Sequence, residues 1–200
     1  TDVEGRVLTA TAGLRYSLPP SATPLKRGGV EAGRFLAPLL PPHLMTVNLR
    51  NHRKIMVVDG RIGFTGGINI RDAHVIAKET DFPTKDLHFR LRGPIVGTLQ
   101  QVFADDWKFT TKEELEGDKW FPALEEVGDL YARGISDGPD EDINKIPWTV
   151  LGAIASARES IRIVTPYFIP DESIVDALNV AAMRGVDVDL ITPAKNNLPY

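Results

Sequence analysis

Short β-rich runs alternate with longer stretches of helical periodicity along this chain, the pattern of an α/β fold. Gly5–Ala10 (GRVLTA) predicts a short strand, and Gly13–Pro24, rich in Gly, Pro and Ser, a loop. Val30–Leu40 mixes strand and turn signals. Pro38, Pro41 and Pro42 then break regular structure, and His43 reads as a residue of that loop. Ile55–Val58 is apolar throughout, which predicts a strand buried on both faces. Asp59-Gly60 followed by Arg61–Phe64 predicts a hairpin, since Asp-Gly suits the turns that join antiparallel strands. Ile68–Ala77 predicts the start of a short helix that includes His74, and Lys78–Thr84 a polar loop. Asp86–Leu91 alternates His88 and Arg90 with Leu87, Phe89 and Leu91, as a half-buried strand does.

Beyond Gly93, Pro94 suits a first helical position. Ile95, Leu99, Val102, Phe103 and Asp106-Trp107 recur at helical spacing, so Pro94–Phe109 predicts an amphipathic helix packed on a sheet, with Trp107 in the core. Thr110–Asp129 is a charged, partly helical connector, Tyr131–Ser136 a candidate strand, and Asp137–Asp142 (DGPDED) an acidic turn-rich loop. Four carboxylates in that loop admit a metal reading; a solvated loop capping the next helix is the simpler one. Pro147–Arg158 predicts a helix with Val150, Leu151, Ile154 and Ala155 on one face. Ser160–Pro166 predicts a strand, Asp171–Arg184 a helix stopped by Gly185, and Val186–Thr192 another strand: a right-handed parallel βαβ unit. Tyr167 and Phe168 follow its first strand, where open α/β sheets place ligand crevices, and core packing accounts for them equally well.

Composition narrows the chemistry. The 200 residues suffice for one substantial core, or one domain and part of another. With no cysteine, neither a disulfide nor a thiolate zinc site can form. No apolar run approaches the roughly 18 residues needed to span a bilayer. The chain begins at Thr1 without a methionine and stops at Tyr200 just after a strand-like segment, which reads as a piece of a longer protein. A formal charge of −4 argues against non-specific nucleic-acid binding, so no nucleic-acid partner is expected. The charge is uneven: eight Lys/Arg against three Asp/Glu from Lys26 to Asp72, and five against thirteen from Asp105 to Lys145. A basic floor beside an acidic neighbour fits this distribution, as do two ordinary solvated faces.

The basic part holds the candidate chemistry, in NHRKIMVVDGRIGFTGGIN at Asn51–Asn69. His52, Lys54 and Asp59 stand in the spacing H-x-K-x4-D, followed by Gly66, Gly67 and Asn69. On an extended segment His52 and Lys54 share a face, so a nucleophile or proton carrier sits beside a fixed positive charge. Gly66-Gly67 would let the backbone pass close to a ligand, and the Asn69 amide adds a donor. Imidazole, ammonium, amide and bare backbone N–H groups together suit a tetrahedral phosphoryl anion. Arg50 adds a guanidinium suited to phosphate, whereas Arg53 alternates away from the His52/Lys54 face. The Asp-Gly turn offers Asp59 a structural role. Asp86 would accept a hydrogen bond from His52 if its strand lies beside the motif strand.

This motif resembles the first catalytic motif of the phospholipase D superfamily. Around it, NLRNHRK (Asn48–Lys54), DLHFRLRGP (Asp86–Pro94), FADDW (Phe103–Trp107), GPDED (Gly138–Asp142) and TPYFIPDE (Thr165–Glu172) resemble its bacterial cardiolipin synthase branch. An acidic residue that related sequences tend to carry near Thr9–Thr11 is absent, which puts one loop contact in doubt. The resemblance implies a phospholipase D-like lobe over residues 1–136, with a mixed sheet flanked by helices. Residues 137–200 would begin a second similar lobe that stops short of its own H-x-K motif. It further implies a two-step, metal-independent and cofactor-free phosphatidyl transfer from phosphatidylglycerol to phosphatidylglycerol, giving cardiolipin and glycerol. In that scheme His52, Lys54, Asp59, Asn69 and Asp86 are catalytic, and Gly66, Gly67 and Arg50 bind substrate. The implied partners are an anionic phospholipid, a membrane surface (the bacterial cytoplasmic membrane), and the missing second lobe or a second subunit. His52 as the acid–base partner, a phospholipase or nuclease working as a homodimer, and a non-enzymatic lipid-binding fragment are the alternatives.

Overall fold

In the computed structural model, Gly93 ends a strand in the left-handed region (φ 86°) and Pro94 takes a helical φ of −55°, which starts the longest helix, α1 (Ile95–Thr111). The structure describes residues 3–10, 25, 27–35, 51–75, 77, 83–137 and 144–194. Arg50, His43, the loop at 13–24 and the acidic run 138–142 lie outside the described residues. Val96, Leu99, Ala104 and Trp107 recur along one stripe of α1 and are buried; the helix is amphipathic as expected, with Leu99 and Trp107 in the core, but Val96 and Ala104 are buried where Ile95 and Val102 were expected, and those two are half-buried. Lys112, at φ 69°, terminates the helix, its N–H bonding to the Lys108 carbonyl.

The chain divides into two units, Thr1–Gly134 and Ile135–Tyr200. The first holds β1 (Arg6–Ala10) paired in parallel with β2 (Glu31–Phe35), and an antiparallel sheet of β3 (Ile55–Val58), β4 (Ile62–Gly66) and β5 (His88–Arg92) in the order β3-β4-β5. β1, β2 and α1 meet in a core of Ala104, Trp107 and Leu115, with Leu8, Phe103, Trp120 and Phe121 packed around it. Arg6 closes this core. Its guanidinium lies over the Trp107 and Trp120 rings and donates to Glu113 at 2.7 and 3.1 Å, while the Trp107 indole N–H donates to the same carboxylate at 2.7 Å.

The second unit is a parallel pair, β6 (Ser160–Val164) with β7 (Asp187–Ile191), and the helices α2 (Lys145–Ser156) and α3 (Glu172–Met183). Ile154, Ala181 and Val186 form its core, and the Asp171 carboxylate caps α3 by accepting from the Ile174 N–H at 3.0 Å. The α/β class holds, with parallel and antiparallel pairings divided, among the described residues, over three small sheets.

Three local expectations are corrected. Residues 55–58 are not buried on both faces: Met56 is 54% and Val58 39% exposed, because β3 is an edge strand and α1 covers one face only. Tyr131–Ser136 forms no strand; Tyr131 is fully exposed and no described strand pairs with it. The helix expected near Ile68–Ala77 reduces to a 3-10 turn at Asp72–His74, too short to bury an apolar stripe.

Candidate active site

The motif enters as an irregular lead-in, residues 51–54, that becomes β3 at Ile55. Two of its side chains hold it to α1. Asn51 donates to Asp106 Oδ2 at 2.6 Å, and Arg53 Nη1 donates to both Asp106 oxygens at 2.8 and 2.9 Å. The Arg53 N–H closes back on the Asn51 side chain at 2.9 Å. With Asn51 and Arg53 committed to the helix side, alternation leaves His52 and Lys54 to the other. His52 is exposed, and the Lys54 ammonium folds over to donate to the His52 carbonyl at 2.7 Å. A fixed cation therefore lies against the histidine's own peptide group.

The strands bring the next group to the same end of the sheet. β3 begins, β4 ends and β5 begins there, since Ile55 pairs with Thr65 and Gly66 with His88. The Gly67 N–H bonds to the Leu87 carbonyl at 2.9 Å, carrying the ladder one step past β4. A Cβ on Gly66, at φ 154°, would lie 2.7 Å from His88 Cα and 2.8 Å from His88 Nδ1. One on Gly67 would lie 2.6 Å from Asp86 Cγ. The double glycine thus makes room for the protein's own Asp86 and His88. Asp86 accepts from the Leu87 N–H at 2.7 Å, which aims its carboxylate back at Gly67. Asn69 follows, exposed, with its carbonyl accepting from the Arg71 N–H at 2.9 Å.

The structure therefore gathers His52, Lys54, Gly66, Gly67 and Asp86 at one end of one sheet, with Asn69 two residues beyond. It does not join His52 to Asp86, because β4 lies between β3 and β5 and no hydrogen bond links the two among the described residues. Asp59 stands at the opposite end of β3, in a turn with φ 53°, followed by Gly60 at φ 62° and closed by the Arg61 N–H on the Val58 carbonyl at 3.0 Å. That is the Asp-Gly hairpin turn. His88 is the residue that sequence reasoning left out of the site. Its Nδ1 is buried with no hydrogen-bond partner, and its two-residue spacing from Asp86 was the available signal. Among the described residues His74 Nδ1, in the 3-10 turn, is likewise buried without a partner. Among the described residues no three His, Asp or Glu side chains are grouped to hold a metal ion.

A family profile described as "Cardiolipin synthase, PLD-like domain" matches residues 150–200, which take in β6, α3, β7 and most of α2. Over 200 residues, 99% of this chain, it is 36% identical to "Cardiolipin synthase 2" of Staphylococcus epidermidis, of which it covers 41%. It is likewise 36% identical to "Cardiolipin synthase" of Staphylococcus aureus, covering 40% of that protein. A "Cardiolipin synthase" of Geobacillus thermodenitrificans is 40% identical over 173 residues, 86% of this chain and 34% of that protein. The chain is thus similar to bacterial cardiolipin synthases over nearly its whole length, and to their PLD-like domain over residues 150–200. It spans about two fifths of the length of the curated relatives it matches.

Proposed function

We propose that this chain carries the first half of a phosphatidyltransferase active site of the cardiolipin synthase type. The carrying observation is the 36% identity to "Cardiolipin synthase 2" over 99% of the chain, a span that contains the His52–Lys54 end of the sheet.

A His52 ring nitrogen attacks the phosphorus of a phosphatidylglycerol, the bond from phosphorus to the glycerol head-group oxygen breaks, and glycerol leaves after taking a proton. The phosphatidyl group now rests on His52 through a P–N bond. The free hydroxyl of a second phosphatidylglycerol then gives up its proton and attacks the same phosphorus, the P–N bond breaks, and cardiolipin forms. Splitting the displacement into two steps is the logic of covalent catalysis. Lys54 and Asn69 hold the non-bridging oxygens as charge develops, beside the Gly66-Gly67 backbone, with the Arg50 guanidinium donating further hydrogen bonds to the phosphate. Asp86 supports the imidazole once the site is complete, across a gap the substrate-bound state has to close. The proton carrier for glycerol and for the acceptor is a second histidine, from the remaining length of the parent polypeptide or from a second subunit. Residues 137–200 begin the lobe that supplies it.

The substrate is an anionic phospholipid and the site works at a membrane surface, that of the bacterial cytoplasmic membrane. No helix among the described residues is long and apolar enough to cross a bilayer, so the chain meets that surface peripherally or through segments elsewhere in the parent.

The test incubates phosphatidylglycerol labelled in its phosphatidyl moiety, in mixed micelles, with the chain and with the full-length parent, wild type beside His52→Ala. Acid-labile, base-stable label on wild type only is the expected result. Cardiolipin formed by the parent while His52→Ala is as active as wild type would overturn it.

A further inference from the structure

The face of the antiparallel sheet turned away from α1 sets two arginines beside apolar side chains. Register assigns the two faces. A Cβ on Gly63 would meet Leu99 and Val96 of α1, so Gly63 and its partners Val57 and Leu91 form the covered row. The flanking rows, Met56–Phe64–Arg90 and Val58–Ile62–Arg92, then turn outward. Met56, Val58, Arg90 and Arg92 are all exposed. Among the described residues, neither Arg90 nor Arg92 has an ion-pair or hydrogen-bond partner. His88 heads the same side of β5, its Nδ1 buried and unpartnered against Gly66. Side chains two apart on a strand stand about 7 Å apart. His88, Arg90 and Arg92 thus make a stripe that starts at the candidate site and runs away from it, with apolar Phe64, Ile62, Met56 and Val58 alongside.

We infer that this face binds the head group of a second anionic phospholipid, the acceptor. This rests on the phosphatidyl-transfer reading. Joining two phosphatidylglycerols brings two phosphodiester anions together, and their repulsion has to be offset. Arg90 and Arg92 take the acceptor's phosphodiester in guanidinium forks, and Met56, Val58 and Phe64 take the adjoining acyl segments. Apolar side chains interleaved with the arginines, in a chain of net charge −4, select an anionic lipid over a nucleic acid.

The test measures binding of the full 200-residue chain to phosphatidylcholine vesicles with and without phosphatidylglycerol. Arg90→Gln/Arg92→Gln is expected to weaken binding to the anionic vesicles by about thirtyfold, from the loss of two cations near an anionic surface. Arg90→Lys/Arg92→Lys keeps the charges and retains most of the binding. Arg92→Gln alone, at the far end of the strand, gives a partial loss and serves if the double variant does not fold. His52→Ala binds as wild type, because docking precedes chemistry. Glutamine variants that bind anionic vesicles as wild type does would overturn the inference, as would equal wild-type binding to neutral vesicles. If His52→Ala loses transfer in the parent while the arginine variants bind normally, phosphatidyl transfer stands and this face is not its acceptor site. If the arginine variants lose binding while His52→Ala keeps transfer, the docking face stands and the assignment of His52 falls.

Discussion

The carboxylate of Asp86 lies against Gly67, so close that a Cβ there would come within 2.6 Å of Asp86 Cγ. A glycine pair in a phosphoryl-transfer motif invites the idea of a ligand approaching bare backbone. Here the space is occupied by the protein's own acid, held in place by the Leu87 N–H at 2.7 Å. Gly67→Ala therefore acts through Asp86. Asp86 is exposed and can swing into solvent, so the stability cost stays near 1 kcal/mol or less, within the range of an exposed rearrangement. Transfer by the parent enzyme falls as it does for Asp86→Ala, and the double variant is no worse than either single one. Additive losses in that double-mutant cycle would show that the two residues act separately.

Asp106 accepts from both Asn51 and Arg53, and those three residues fix the approach to His52. Asp106→Ala removes all of these bonds at once. The pair is partly exposed, which discounts the ion-pair contribution, so the expected destabilisation is about 1–3 kcal/mol. Arg53→Met, which leaves the Asn51 bond, costs less. Chemical denaturation ranks the two, and transfer by the parent drops in the same order if the lead-in positions His52. The reverse ranking would mean that Arg53 has a role of its own.

Hydrogen bonding from Arg6 holds the Glu113 carboxyl below its usual range, against the opposing effect of burial, with the Trp107 indole and the Arg6 charge adding to the depression. The sign of the linkage follows. A carboxyl whose folded pKa lies below its unfolded value, about 4.3, contributes its full stability above that value and loses it as pH falls through the folded pKa. The first unit is therefore expected to lose thermal stability as pH drops below about 4, by a modest amount because the Glu113 side chain is partly exposed. Glu113→Gln lowers the melting temperature near neutrality and flattens its acid limb. A variant with an unchanged acid limb would assign the acid sensitivity to other carboxylates.

Much of this architecture was legible because it is local. The helix at 95–111, the βαβ pattern at 160–191 and the Asp-Gly hairpin depend on neighbours in sequence, namely apolar spacing, a proline before the helix and a turn dipeptide. What was not legible depends on partners far along the chain. Met56 and Val58 look like core residues, and they are exposed because β3 lies at a sheet edge and α1 covers the other face. Asp86 would reach His52 if its strand lay beside the motif strand, but β4 comes between. His88 has no motif letter to mark it, and its place beside Gly66 is set by the register of β4 on β5.

Asp59 separates motif membership from position. The whole of β3 separates it from His52, and four strand residues at about 3.3 Å each already span roughly 13 Å. Its φ of 53° and that of Gly60, 62°, are what the turn requires. Asp59→Asn keeps a side chain that tolerates this conformation, and is expected to leave both stability and transfer by the parent close to wild type. Asp59→Val places a β-branched residue at positive φ and costs about 1–2 kcal/mol. Gly60→Ala combines positive φ with a Cβ 2.8 Å from Pro122 Cγ and 3.0 Å from the Trp120 carbonyl, so it costs more than an open-turn substitution and loosens the contact between hairpin and connector. Melting temperatures separate the turn variants. The decisive comparison is kcat/KM for Asp59→Asn beside His52→Ala in the parent: a loss of transfer by Asp59→Asn without a loss of stability would return Asp59 to the chemistry.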